Sequence, residues 1–323
     1  MLKVKRILFP TDFSETGDAA LAHACHWAQK LGAELHLFHV VESLRPDLYA
    51  SAAGALAEAS PLDASLGQHA RVELERLRGR AREHGVAVSS AAVEGLSAAP
   101  TILDYSEAHD FDLVVMSTHG RRGLRRFLLG SVAEEVVQRS SCPVLTLRGG
   151  TAPVEAGTPH RILAAVDLSD HSRQALAHAK ELAAVFSAEL QLLHVLVRPS
   201  IPVYYDGVGA PDAAYYGRLA KGAQSALEEL YANAPGPGGP VSIHTAEGVA
   251  VEEILRFAQV NSSDLVVIAS HGLTGVSHLL LGSVAERVVR QAPCPVLALK
   301  SFGKSLLGKD AALAAGVRST AKR

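Results

Sequence analysis

The stretch "STHGRRGLRRFLLGSVAEEVV", Ser117–Val137, returns later in the chain as "ASHGLTGVSHLLLGSVAERVV", Ala269–Val289. The echo extends well beyond this segment. "RILFPTDFS" from Arg6 aligns with "RILAAVDLS" from Arg161, and "ELHLFHVV" from Glu34 with "ELQLLHVL" from Glu189. "DLVVMSTHG" from Asp112 aligns with "DLVVIASHG" from Asp264, and "CPVLTL" from Cys142 with "CPVLAL" from Cys294. Order is kept, with an offset of 155 residues at Arg6 and 152 at Asp112, so whatever the chain of 323 residues folds into, it folds into it twice. The expected domains are residues 1–148 and 161–300. Between them "RGGTAPVEAGTPH", Arg148–His160, is rich in Gly, Pro and Thr and reads as an exposed linker over 149–160. Residues 301–323 carry Lys304, Lys309, Arg318, Lys322 and Arg323 among Ala, Leu and Gly and read as a loosely ordered basic tail.

Each copy alternates short apolar runs with helical stretches. In the first, 4–10, 35–41, 86–93, 113–116 and 144–147 are apolar or β-branched runs of the kind a buried parallel sheet requires. "SETGDAALAHACHWAQKLG" has Ser14 placed to cap a helix, Ala and Leu at helical spacing, and Gly32 where a left-handed cap belongs. Further helices are expected over 62–84, 97–109 and 130–139. The pattern predicts an α/β chain of two tandem doubly wound, Rossmann-like domains, each with a five-stranded parallel sheet. A ligand of such a sheet lies beyond the C-terminal strand ends, near the switch point.

The distinctive residues fall at that edge. Asp12 and Asp167 end the first strand of each copy, and "STHG" and "ASHG" follow the fourth. Gly120 and Gly272 would let a phosphate approach the backbone with no Cβ in the way. Gly130-Ser131 and Gly282-Ser283 open the next helix, where unpaired N–H groups and the positive end of the dipole favour an anion. A helix cap is the alternative reading of each Gly-Ser pair. There is no GxxxxGK[ST] and no GxGxxG after a strand, so P-loop hydrolysis and ordinary dinucleotide binding are disfavoured.

Composition removes other classes. A net charge of −2 gives no general attraction to nucleic acid or to an anionic membrane. The N-terminus lacks the apolar core of a secretory signal, and no apolar run approaches the ~20 residues that span a bilayer. Three cysteines, Cys25, Cys142 and Cys294, are too few for a disulfide framework and fit a reducing cytoplasm. His23, Cys25 and His26 lie close together without a recognisable ligand spacing, so no metal is expected. His119 and His271 precede the loop glycines and are read equally as ligand contacts or as turn hydrogen bonds. No nucleophile, base and orienting acid assemble, so no enzyme is expected. Arg121, Arg122, Arg125 and Arg126 stand where the second copy has Leu273, Thr274, Ser277 and His278; they are read either as a solvated turn or as neutralising a polyphosphate.

On these segments the chain resembles the universal stress protein family in its tandem, two-domain form. The resemblance spares only the linker, the loops at 43–61 and 198–214, and the tail after Lys300. It implies a strand order of 3-2-1-4-5 and pairing of domains through the last strand, hence intramolecular pairing of the two copies and a possible homodimer. Nucleotide-binding members carry G-x2-G-x9-G-[ST], an acidic residue after the first strand and a backbone contact to adenine from the second. Carried over, the motif places Gly120, Gly130 and Ser131 in copy one and Gly272, Gly282 and Ser283 in copy two. Ser117 and Ala269 stand where the first glycine would be. The acidic residues are Asp12 and Asp167, and the adenine-side strand positions are Val40 and Val195. Their neighbours Pro10, Thr11, Met116, Val132, Ile268 and Val284 complete the expected set. The implied ligand is ATP, or AMP or ADP, with magnesium as an optional companion, and the implied role is stress regulation in the cytoplasm. The alternative is an interaction scaffold that recognises a protein or a small apolar ligand through its variable loops.

Overall fold

The computed structural model describes residues 1–42, 61–118, 129–148, 158–197, 213–270, 281–300 and 303–308. They belong to two compact units, Lys3–Thr158 and Pro159–Arg323, the second also including Met1–Leu2. The first unit runs β1 (Arg6–Pro10), α1 (Glu15–Leu31), β2 (Glu34–Glu42), α2 (Pro61–Glu83), β3 (Val88–Gly95), α3 (Ala98–Ala108), β4 (Leu113–Ser117), α4 (Ser131–Arg139) and β5 (Val144–Leu147). Its strands are all parallel in the order β3-β2-β1-β4-β5. The second unit repeats it as β6 (Arg161–Ala165), α5 (Asp170–Phe186), β7 (Glu189–Leu196), α6 (Ala213–Asn233), β8 (Val241–Glu247), α7 (Ala250–Val260), β9 (Leu265–Ala269), α8 (Ser283–Gln291) and β10 (Val296–Leu299). The order there is β8-β7-β6-β9-β10, again parallel. The expected doubly wound topology is therefore present in both copies.

Local chemistry explains why the elements begin and end where they do. Ser14 Oγ accepts from the Gly17 amide at 3.2 Å, and Ser169 Oγ from the Ser172 amide at 3.2 Å, so α1 and α5 start on side-chain caps. At the other end Gly32 adopts φ 64° and turns its N–H back to Ala28 and Gln29. The central strands β1 and β6 are buried after their first residue, with Ile7, Leu8 and Phe9 matched by Ile162, Leu163 and Ala164, as expected for strands covered on both faces. At the N-terminal edge of each sheet one carboxylate fixes the entry to the first strand. Asp112 accepts from the amides of Lys5 and Arg6, and Asp264 from those of His160 and Arg161. The aspartates of "DLVV" are thus structural and lie at the opposite end from the expected ligand edge.

Residues 303–308 depart from the expectation of a loose tail. Leu306 and Leu307 are buried, and Leu307 pairs antiparallel with Leu2. The Leu307 amide donates to Ser305 Oγ at 3.1 Å, and that hydroxyl lies 3.0 Å from Nε2 of His178 on α5. Two buried leucines and a buried histidine partner hold this segment, and neither can be inferred from a composition of Lys, Gly and Ser. The rest of the basic tail, with Lys309, Arg318, Lys322 and Arg323, lies outside the described residues.

Candidate functional site

In copy one β1 runs off the sheet through Thr11, whose amide still donates to the Phe38 carbonyl of β2 at 2.9 Å. Asp12 then turns the chain. Its Oδ1 accepts from the Ser14 amide at 3.1 Å and from Ser14 Oγ at 2.6 Å, while Phe13 between them takes φ 60°. Ser14 in turn caps α1, so Asp12, Ser14 and Gly17 form a chain of hydrogen bonds from strand end to helix start. Copy two reproduces it. Asp167 Oδ1 accepts from the Ser169 amide at 3.1 Å and from Ser169 Oγ at 2.5 Å, with Leu168 at φ 65°. A β-turn geometry that holds a non-glycine residue in the left-handed region costs energy, and its recurrence in both copies shows that the turn is over-determined by these bonds.

The second element of the site follows β4. Pairing of Ile7 with Leu113 and of Leu8 with Val114 puts β4 beside β1, so Met116 and Ser117 end beside Pro10 and Thr11. In copy two Ala165 pairs with Ile268, next to Ala269. Gly130 and Gly282 then stand at the N-caps of α4 and α8, with no side-chain cap bond at either. The first-turn amides of these helices, those of Ser131 and Val132 and of Ser283 and Val284, face no side-chain acceptor of the cap, unlike those of α1 and α5. Among the described residues α3 and α7 also begin without a side-chain cap bond, so the serine caps set α1 and α5 apart, while an uncapped start such as that of α4 or α8 is a place where an anion is favoured.

Glycine at 130 has a further cause. Its φ of −65° is ordinary, but its amide donates to the Thr118 carbonyl at 2.7 Å, and a Cβ would stand 3.1 Å from that oxygen. Gly282 makes the same bond to Ser270 at 2.7 Å. At Gly130 the close backbone approach that follows β4 therefore favours glycine whether or not a phosphate is present.

Val40 and Val195 lie at the C-terminal ends of β2 and β7, paired with Val93 and Ala246. Beside each is a histidine that pattern reading passed over. His39 Nδ1 donates to the Thr11 carbonyl at 2.8 Å, and His194 Nδ1 to the Val166 carbonyl at 2.9 Å. The Phe13 ring stacks on His39 with centroids 4.2 Å apart. The signal available in sequence was the repetition itself, since "HV" occupies the same place in "ELHLFHVV" and "ELQLLHVL".

Several expected positions lie outside the described residues: Gly120, Gly272, His119, His271, Arg121, Arg122, Arg125 and Arg126, with Leu273, Thr274, Ser277 and His278. Of the other candidates, Cys25, Cys142 and Cys294 are all buried thiols. Burial pushes the thiols of Cys25 and Cys294 up to about 12, away from nucleophilic use. Among the described residues no three His, Cys, Asp or Glu side chains gather where they could hold a metal ion. His26 instead lies 3.0 Å from Thr158 Oγ1. No described helix is long and apolar enough to cross a membrane.

A profile of the universal stress protein family matches residues 3–148 and again 159–300. The chain belongs to the universal stress protein family. Its tandem form is shared by a universal stress protein of Mycolicibacterium smegmatis, 27% identical over 303 residues that cover 91% of this chain and 96% of that one. A single-domain relative, a universal stress protein of Methanocaldococcus jannaschii, is 37% identical over 144 residues, covering 45% of this chain and 82% of its own. Among solved structures, a universal stress protein from Archaeoglobus fulgidus matches with a TM-score of 0.64 at 21% identity, covering 91% of this chain and 98% of its own. A functionally unknown protein from Pseudomonas aeruginosa matches with a TM-score of 0.66 at 22% identity, covering 97% and 98%. These structural likenesses carry the fold, over 91% and 97% of this chain.

Proposed function

We propose that this universal stress protein binds an adenine nucleotide, ATP or its mono- or diphosphate, at the C-terminal edge of each sheet and acts as a stress-response regulator without substantial turnover. The observation that supports this reading is the uncapped start of α4 and α8 set beside the Asp12 and Asp167 turns, in both copies. Phosphate oxygens would accept from the amides and hydroxyls of Ser131 and Ser283, with Gly120 and Gly272 on the approaching loops. The base would lie along the strand ends at Val40 and Val195. Met116 and Ser117, and Ile268 and Ala269, would floor the site, with Pro10 and Thr11 beside it in copy one. Magnesium would screen a triphosphate. Copy one would bind more tightly, because Arg121, Arg122, Arg125 and Arg126 belong to its phosphate loop alone. The regulatory output would run through association of the two copies by way of β5 and β10, or through a homodimer, in the cytoplasm.

A second reading follows from Ser117 and Ala269, which stand where nucleotide-binding relatives have glycine, and from Leu96, Val197 and Val249, which expose apolar surface at the same sheet edge. There the chain is a scaffold for a protein or a small apolar ligand. The test uses Ser131→Asp and Ser283→Asp. Aspartate in the first turn supports a helix start but repels phosphate. Calorimetric titration of ATP should lose one binding phase with each variant while unfolding stability is held or raised, and an acid extract of the wild-type protein should contain adenine nucleotide. No heat and no extractable nucleotide would leave the scaffold reading standing.

A further inference from the structure

We infer that His39 and His194 are positioning residues that hold the acidic turn of each copy in register with the ligand edge, acting through Nδ1 on the backbone carbonyl that precedes Asp12 or Asp167. The inference rests on the proposed nucleotide site for its functional consequence, but the structural claim stands by itself.

The argument begins with donors and acceptors. A carbonyl oxygen only accepts, so the contacts of 2.8 Å from His39 to Thr11 and 2.9 Å from His194 to Val166 require a hydrogen on Nδ1. Each bond links the last residues of one strand to the point where its neighbour leaves the sheet. Just beyond that point the ladder has ended: Thr11 N to Phe38 O and Val166 N to Leu193 O are its final bonds. The next residue but one is Phe13 or Leu168, with φ of 60° and 65°, and the chain must hold there for Asp12 or Asp167 to reach Ser14 or Ser169. The histidine thus supplies a side-chain bond from the neighbouring strand to the backbone segment between the ladder and the strained turn. Its recurrence across a duplication in which Phe13 became Leu168, and Thr11 became Val166, ties it to the turn and not to a neighbouring side chain. The Phe13 ring, stacked on His39, adds a second restraint in copy one alone.

Amide side chains separate the two ways such a histidine can act. Asn places its amide nitrogen where Nδ1 stands, and Gln places its own where Nε2 stands, so His39→Asn keeps the bond to Thr11 whereas His39→Gln keeps only a donor further out. The experiment compares wild type with His39→Leu, His39→Asn and His39→Gln, and with the same series at His194. Hydrogen exchange of the nucleotide-free protein is followed at the amides of Ser14 and Gly17 and of Ser169 and Ser172, and ATP affinity is measured by calorimetry. His39→Leu should speed exchange at Ser14 and Gly17 only, and weaken the copy-one phase about fivefold to tenfold, the equivalent of one hydrogen bond. His39→Asn should restore both, and His39→Gln neither. Rescue by Gln in place of Asn would assign the ring to ligand contact through Nε2 and overturn the inference, as would unchanged exchange in His39→Leu. If wild type binds no ATP, the functional reading fails, and the exchange measurements still decide whether the histidines hold the turns.

Discussion

The amide of Gly130 and the carbonyl of Thr118 meet at 2.7 Å, close enough that a Cβ at position 130 would stand 3.1 Å from the same oxygen. A backbone hydrogen bond therefore ties Thr118, just past β4, to the start of α4. Gly130→Ala should destabilise the first unit by about 1–2 kcal/mol, the usual scale of an overpacked contact. Urea unfolding followed by fluorescence of Trp27, the single tryptophan, reads that unit directly. An unchanged midpoint would mean that Thr118 moves aside freely. The consequence for the site is practical: substitutions at Gly130 perturb fold and ligand edge together, whereas Ser131, exposed on the first turn, does not carry that contact.

Asp12 has a structural task that can be separated from a ligand role. Its Oδ1 accepts from Ser14 N and Ser14 Oγ, and an asparagine oxygen can accept the same two bonds. Asp12→Asn should leave the unfolding midpoint of the first unit nearly unchanged, within about 0.5 kcal/mol. Ser14→Ala removes the cap of α1 and should cost about 1 kcal/mol. If Asp12→Asn weakens ATP binding at constant stability, the carboxylate charge acts on the ligand; if it costs as much as Ser14→Ala, the aspartate serves the turn.

Much of this was legible before any coordinates. The duplication set the domain size, apolar runs such as 144–147 located the strands, and Ser14 and Gly32 marked both ends of α1, because caps and parallel strands are governed by local chemistry. The strand ends at Asp12 and Asp167 and the helix starts at Gly130 and Gly282 were legible for the same reason. His39 was not, since its acceptor lies 28 residues away and only the pairing of β1 with β2 brings them together. The docking of Leu306 and Leu307 is not legible in the sequence either. Short apolar pairs in a polar tail acquire meaning only from the surface that covers them.

His178 should make the second unit acid-sensitive. Burial pushes its ionisation down to about 4, against an ordinary value of 6.5, and both ring nitrogens are engaged, Nδ1 with the Gln174 carbonyl and Nε2 with Ser305. Neighbouring Glu181 opposes the shift without reversing it. The unfolded chain therefore binds a proton that the folded one refuses between pH ~6.5 and ~4, so the contribution is complete above the upper value and lost on descent to the lower. At 1.36 kcal/mol per unit the loss reaches about 3 kcal/mol. Urea midpoints of the second unit, followed by exchange of its core amides, should fall through this window in wild type. They should fall less steeply in His178→Gln, and equal slopes would show that His178 carries no such linkage.

In copy one a line of hydrogen bonds crosses from β3 to α3. Ser89 donates to Glu34, so it accepts from His36 Nδ1 at 2.9 Å, and Tyr105 then donates to His36 Nε2 at 2.9 Å. Copy two solves the same position without a histidine: Gln191 accepts from Ser263 at 2.8 Å, and Phe257 takes the place of Tyr105. Burial lowers His36 ionisation to about 4, with Arg6 adding to the shift, so at pH 7 the ring is neutral and depends on the Tyr105 hydroxyl to satisfy Nε2. Tyr105→Phe should then cost about 1–3 kcal/mol by leaving a buried acceptor unpaired. In the His36→Gln background that acceptor is gone, and the same change should cost about 0.5 kcal/mol or less, a coupling of at least about 0.5 kcal/mol between the two sites. Trp27 fluorescence in urea at pH 7 measures all four proteins of the cycle. Additive costs would mean that the hydroxyl is solvated in the folded state and that His36 is held by Ser89 alone.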